Sequence, residues 1–296
     1  MTAEIPEGAQ HDTGKGKLLG SVWDFGSIAP AVERRHYLCN DHPAKMKPTL
    51  ARAILRIYGE GPVLDPMAGV GTTLVEAMLL GMDAVGIEYE RKFADQANMN
   101  IDHARKSFCG CHLGNAVCIQ GDARKLDSIS HPSRPARFNF ILFSPPYGEQ
   151  HGKGGSIFNA DGTVTEKFRS KFSGSRIRRK GFLDASSPNN IDNVAHGPAY
   201  LNEMLTVYSQ CFRMLAEEKF MAIVVRDIRR NSLTVPVAAD TIELCSQAGF
   251  ELFDIIINKT HLPSFWMLNR ALKDQASGIM HPLRNHEYVL IFRKHV

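Results

Sequence analysis

The sequence predicts an α/β fold: a doubly wound, mostly parallel sheet of seven strands whose last strand runs antiparallel. Three observations carry that prediction. From residue 47 onward, short apolar runs alternate with amphipathic stretches of helical period, the pattern of βαβ units. Acidic residues end three successive apolar runs, at Asp65, Glu88 and Asp122, on the edge where open α/β sheets bind ligands. The last two apolar runs are joined by an irregular linker, about 260–285, that does not read as a crossover helix, so the final strand is expected to reverse direction.

The elements follow in order. Residues 1–20 are rich in glycine, polar and charged residues and are expected to be disordered or loosely attached, which leaves 21–296 as one domain. A helix is expected at 47–58, where Leu50, Ala53, Ile54 and Ile57 recur at helical spacing and Pro48 suits a first turn. The expected strands are Pro62–Leu64, Ala84–Ile87, Ala116–Ile119, Phe138–Phe143, Phe220–Val225, Leu252–Ile257 and Tyr288–Phe292. Further helices are expected near 72–80, 90–107, 199–215 and 235–248. Residues 148–198 break the rhythm, with much Gly, Ser, Asn, Lys and Arg, and read as an inserted segment. Within 163–181 lie Lys167, Arg169, Lys171, Arg176, Arg178, Arg179 and Lys180 against Glu166 alone, a local charge of +6. A one-signed run of this kind suits contacts to nucleic-acid phosphates.

The totals set bounds. The chain has 296 residues and a formal charge of +4, with 44% hydrophobic and 22% charged residues, which is ordinary for a globular domain. Six cysteines without a pairing pattern read as reduced thiols. Cys109, Cys111, His112 and Cys118 cluster, but the C-x-C-H-x5-C spacing departs from zinc knuckles, and no metal is expected. No apolar run reaches the roughly 18 residues that span a bilayer, and the opening MTAEIPEGAQ lacks an apolar signal core. A cytoplasmic protein without a membrane partner is expected; oligomeric state is not legible.

Two constellations carry chemistry. The first, Asp65-Pro66-Met67-Ala68-Gly69-Val70-Gly71-Thr72-Thr73, follows an apolar strand and opens a helix. Gly69 and Gly71 permit positive φ and close approach of a ligand, and Thr72 or Thr73 can cap the helix. A P-loop is excluded because no lysine follows Gly71, and the dinucleotide fingerprint fails at Leu74. Glu88 can accept both hydroxyls of a ribose, and Asp122 can accept from an adenine amino group. The second constellation, Ser144-Pro145-Pro146-Tyr147, ends the strand Phe138–Phe143. Two prolines make a rigid corner with outward carbonyls, and Tyr147 offers a face on which a flat base can stack. In a sheet wound from the Asp65 strand, the first and fourth strands lie side by side, which brings the two loops together.

DPMAGVGTT and SPPY, with GIEYE and GDAR between them, resemble the amino-methyltransferases of DNA that act on cytosine N4 or adenine N6. The resemblance runs from about 36 to 296 and implies a Rossmann-like methyltransferase fold with S-adenosylmethionine as cofactor. It implies cofactor contacts at Asp65, Ala68, Gly69, Gly71, Thr72, Thr73, Glu88, Tyr89, Asp122 and Ala123. His42–Pro48 resembles the segment that packs on the methionine end of the cofactor, which adds Lys45 and Met46. Base binding and catalysis fall to Ser144, Pro145, Pro146 and Tyr147. Serine at the first position of the second motif resembles the cytosine-N4 members; Asp or Asn is commoner among the adenine-N6 members. Met67 stands where the family commonly has Phe, and no separate target-recognition domain follows the last strand, so 148–198 is the candidate for that role. The expected partner is DNA, with RNA as the alternative and a restriction endonuclease as a possible companion. The missing third glycine counts against a nicotinamide oxidoreductase, and the intact SPPY motif against a silent binding protein.

Overall fold

The computed structural model describes residues 10–12, 17–26, 30–40, 42, 45–147, 189–194, 196–230, 233–260, 278 and 285–295. In chain order the strands are β1 (Gln10–Asp12), β2 (Lys17–Leu19), β3 (Val22–Asp24), β4 (Val63–Asp65), β5 (Ala84–Glu88), β6 (Ala116–Gln120), β7 (Phe138–Phe143), β8 (Leu215–Val225), β9 (Ile228–Arg230), β10 (Leu233–Val235), β11 (Glu251–Lys259) and β12 (His286–Arg293). The helices are α1 (Pro30–Glu33), α2 (Pro48–Tyr58), α3 (Thr72–Leu79), α4 (Arg91–Ser107), α5 (Pro198–Met214) and α6 (Val237–Gln247). A 3-10 segment kinked at Lys125 lies at Ala123–Ser128, and a single 3-10 turn at Ile191–Asn193.

Eight strands form the main sheet in the order β3-β11-β12-β8-β7-β4-β5-β6. β4 through β8 are mutually parallel, and β12 runs antiparallel to both β8 and β11, the reversal expected of the last strand. The expected count of seven is corrected to eight by β3, which pairs parallel with β11. Three residues are too few to show a period in sequence. Burial of Trp23, 1% exposed, holds this strand, and its indole N–H donates to the Gly20 carbonyl at 3.0 Å. Within the segment expected to be loosely attached, β1 and β2 pair as a separate antiparallel hairpin.

Two cores flank the sheet, and alternation along each strand feeds both. Phe140 and Leu142 of β7, Ala222 and Val224 of β8, and Val289 and Ile291 of β12 pack with α2, α3 and α4. Ile141, Phe143, Met221, Ile223, Leu290 and Phe292 pack with α5 and α6. Each fully buried side chain of this size contributes about 1.5–3 kcal/mol, which is why the central strands read as unbroken apolar runs. The winding makes β4 and β7 hydrogen-bonded neighbours, with Leu64 opposite Ile141. The loops that leave these two strands therefore share one edge.

Candidate active site

The Asp65 loop is closed by its own polar groups. Asp65, 4% exposed, accepts the Met67 N–H at 3.0 Å. Ala68 N–H donates to the Ile87 carbonyl at 2.9 Å and Gly69 N–H to Glu88 Oε2 at 2.8 Å. The other Glu88 oxygen accepts the Glu90 N–H at 2.9 Å. Gly69 and Gly71 have φ of 53° and 80°, the left-handed region in which a side chain is strained. At Gly71 an added Cβ would also lie 3.0 Å from the Cβ of Ala97. At Gly86 it would lie 2.5 Å from Leu74, so this glycine lets α3 sit close on β5.

One expectation is corrected here. Neither Thr72 nor Thr73 caps α3. Gly71 is the N-cap, in its left-handed conformation, and both threonines are already inside the helix. The Thr72 hydroxyl accepts from Arg34 at 3.1 Å, and that of Thr73 lies between Asp65 and the Leu142 carbonyl, 3.5 Å away. Arg34 belongs to a buried network that pattern reading missed. Its guanidinium also donates to the Met46 carbonyl at 2.5 Å, while Tyr37 and Arg52 both bond Glu76, at 2.9 and 2.6 Å. Asn100, fully buried, grips both backbone groups of Cys39 and the Val70 carbonyl. These bonds fasten Arg34, Tyr37, Cys39 and Met46 to the loop and to α3. Lys45 donates to the Asn40 carbonyl at 3.0 Å and to the His42 carbonyl, and Met46 packs on the first core. No local pattern could have signalled the partners of Arg34, Tyr37, Arg52 and Asn100, which lie 12 to 61 residues apart.

Burial raises the pKa of both acids at this edge. The Asp65 carboxyl is pushed up to about 7, against the pull of Thr73 and Met67, and that of Glu88 moves in the same direction. Asp122 differs. Burial pushes it up as well, but Arg124 outweighs that and holds it below the usual carboxylate range. Tyr89 is half-buried under the Arg124 guanidinium, 5.9 Å from its ring centroid, and Ala123 is buried.

The Ser144 corner leaves β7 beside this loop. Pro145 is buried; Ser144, Pro146 and Tyr147 are half-buried. The Pro146 carbonyl accepts the Tyr200 hydroxyl from α5. Tyr147 packs on the second core, and its hydroxyl bonds the Ser144 side chain and the Arg226 backbone. Burial and the nearby Glu287 carboxylate push its pKa up to about 12, so it stays a neutral phenol. Glu287 in turn bonds Arg226 at 3.3 Å and Asn258 at 2.8 Å.

The sites thus gather at the carboxyl ends of β4, β5, β6 and β7. The basic residues Lys167, Arg169, Lys171, Arg176, Arg178, Arg179 and Lys180, and most of 148–198, lie outside the described residues. Cys118 faces the first core, while Cys109 and Cys111 are exposed. Among the described residues no group of three His, Cys, Asp or Glu side chains could hold a metal ion, and no helix is long and apolar enough to cross a membrane.

Residues 35–178 match the model of the RMKL-like methyltransferase domain. A tRNA (guanine(10)-N2)-dimethyltransferase of Methanocaldococcus jannaschii is 29% identical over 120 residues, which are 39% of this chain and 32% of that protein. The ribosomal RNA large subunit methyltransferase K/L of Shewanella amazonensis is 24% identical over 55% of this chain and 28% of its own length. The type II methyltransferase M.ScaI of Streptomyces caespitosus is 30% identical over 28% of each chain. The chain thus spans about a third or less of the curated relatives it matches. The cofactor of the matched domain is S-adenosylmethionine. The donor set suits that molecule. The buried acids Asp65 and Glu88, with Asp122 at the next strand end, offer oxygens that accept from hydroxyl and amino groups.

Proposed function

We propose that this chain, which carries an S-adenosylmethionine-dependent methyltransferase domain, methylates the exocyclic amino group of a base in RNA. The observation that carries this reading is the adjacency of the Asp65 loop and the Ser144 corner on neighbouring strands. S-adenosylmethionine, when bound, supplies a methyl group on a cationic sulfur. The backbone of Ala68–Gly71 would lie along it, Glu88 would accept its ribose hydroxyls, Asp122 its adenine amino group, and Lys45 and Met46 would close its methionine end.

The acceptor side belongs to the corner. Ser144 and the Pro145 carbonyl hold the hydrogens of the base's amino group and draw its lone pair out of the ring, which makes the nitrogen a nucleophile. The Pro146 carbonyl is engaged by Tyr200, which fixes the corner. Tyr147 holds the base flat, its ring set by the bonds of its hydroxyl. A paired base has to be flipped out first. Positioning supplies most of the acceleration. The basic side chains between Lys167 and Lys180 supply phosphate contacts.

RNA rests on what the tRNA and ribosomal RNA relatives are named for. A second reading, cytosine N4 in DNA, is favoured by Ser144 and by the likeness to M.ScaI. A competition assay separates them. The protein, methyl-labelled cofactor and equal masses of total RNA and genomic DNA are incubated together. Label in RNA, recovered as an N-methylated nucleoside, is expected. Label in DNA as N4-methylcytosine would replace the first reading with the second. Label in neither, with cofactor binding intact, would overturn both.

A further inference from the structure

We propose that Arg124 is a positioning residue of the cofactor pocket: it holds the Asp122 carboxylate in the orientation that accepts an adenine amino group, and so sets the pocket's preference for a 6-amino purine. The proposal rests on the reading of Asp122 given above.

The geometry is specific. The Arg124 backbone N–H donates to Asp122 Oδ1 at 3.0 Å. Its Nε reaches Oδ1 and Oδ2 at 2.9 and 3.1 Å, and Nη2 reaches Oδ2 at 2.7 Å. A carboxylate at the end of a short side chain turns over a broad range about its last torsion. A planar two-point fork removes that freedom, which a lysine ammonium cannot do. The fork is itself fixed. Nη1 bonds Glu203 of α5 at 2.8 Å, Nη2 the Asn189 carbonyl at 3.1 Å, and the guanidinium lies over Tyr89. Both Asp122 and Arg124 are about four-fifths buried, at 20% and 19% side-chain exposure, so solvent does little to loosen the pair.

The chemistry follows from charge. Arg124 keeps Asp122 ionised and therefore acceptor-only. An ionised acceptor welcomes the amino hydrogens of adenine and repels the 6-oxo group of hypoxanthine. Discrimination between these rings depends on the carboxylate staying in place, because a carboxylate free to turn can move away from the oxo group.

The test reads a ratio. Affinities of S-adenosylhomocysteine and S-inosylhomocysteine are measured by calorimetry for the full chain and for R124M, R124K and D122N. The native chain is expected to prefer the adenosyl compound at least tenfold. R124M is expected to narrow that preference to about threefold, with R124K in between, and D122N to abolish it. Adding R124M to D122N should then change nothing further. A general loss of structure would weaken both ligands together and leave the ratio alone. R124M with the native ratio would overturn the proposal; if R124M fails to fold, R124K with the native ratio does the same. A native chain that binds neither compound, or both equally, would instead remove the reading of the pocket on which the proposal stands.

Discussion

The two loops at the active edge are built by different means. The Asp65 loop closes its first turn on partners near in the chain, Met67 for Asp65 and Glu88 for Gly69, 19 residues away, and reaches distant segments only at its far end, through the Val70 carbonyl and the Thr72 and Thr73 hydroxyls. The Ser144 corner closes on distant ones: Tyr200 for Pro146, 54 residues away, and Arg226 and Glu287 around Tyr147. The turn of the first, a cradle, is set within two βα units. The second takes its shape from the far half of the sheet. Damage to the cradle should therefore cost cofactor affinity and stability, and damage to the corner should cost turnover alone.

The sharpest attempt to break that division is Tyr147→Ala. Turnover should fall at least about 100-fold through loss of base positioning, while S-adenosylhomocysteine affinity stays within about threefold. Single-turnover kinetics and calorimetry read the two separately, and joint loss would mean that the corner also serves the cradle. Next in size is Gly86→Ala. The new methyl would meet Leu74 at 2.5 Å and Ala68 at 2.8 Å. It should destabilise the fold by about 1–3 kcal/mol, read by urea denaturation, and weaken cofactor binding because Ala68 lies in the loop. A smaller effect is expected for Tyr200→Phe, which frees the Pro146 carbonyl. Loss of one hydrogen bond, about 1 kcal/mol, should lower kcat about fivefold and leave cofactor affinity unchanged.

A separate effect is one of pH. Burial keeps the proton on Asp65 up to about 7, whereas the ordinary carboxyl value is 3.8. Between those values the folded chain holds a proton that the unfolded chain has lost. Stability from this group is therefore present at the acid end of the window and declines as pH rises toward 7. The Tm of the ligand-free protein should fall across that window, and Asp65→Asn should flatten the slope. Glu88 contributes in the same direction, so some slope should remain.

This contrast also marks what the sequence could reveal. The strands and helices that carry the cradle were legible because each is encoded within a few residues. An apolar run ends in an acid, and two glycines precede an amphipathic helix. β12 was legible as antiparallel from its linker. Three features were not. β3 is three residues long and held by one tryptophan. The cap of α3 fell to Gly71 because the left-handed turn left both threonines inside the helix, where they serve Arg34 and Asp65. The bonds of Arg34 to Thr72, Arg124 to Glu203 and Tyr200 to Pro146 join segments 38 to 79 residues apart, and nothing in the spacing of a lone arginine or tyrosine identifies such a partner.

In the proposed reaction an amino nitrogen of a nucleic-acid base receives the methyl group at the Ser144 corner. The most direct measurement is mass spectrometry of nucleosides from RNA and DNA treated with the protein and S-adenosylmethionine, with Tyr147→Ala as the control. A methylated exocyclic amino group is expected, present with the native chain and absent with the variant. Methylation at a ring carbon or a ribose oxygen, or an unchanged product from the variant, would contradict it.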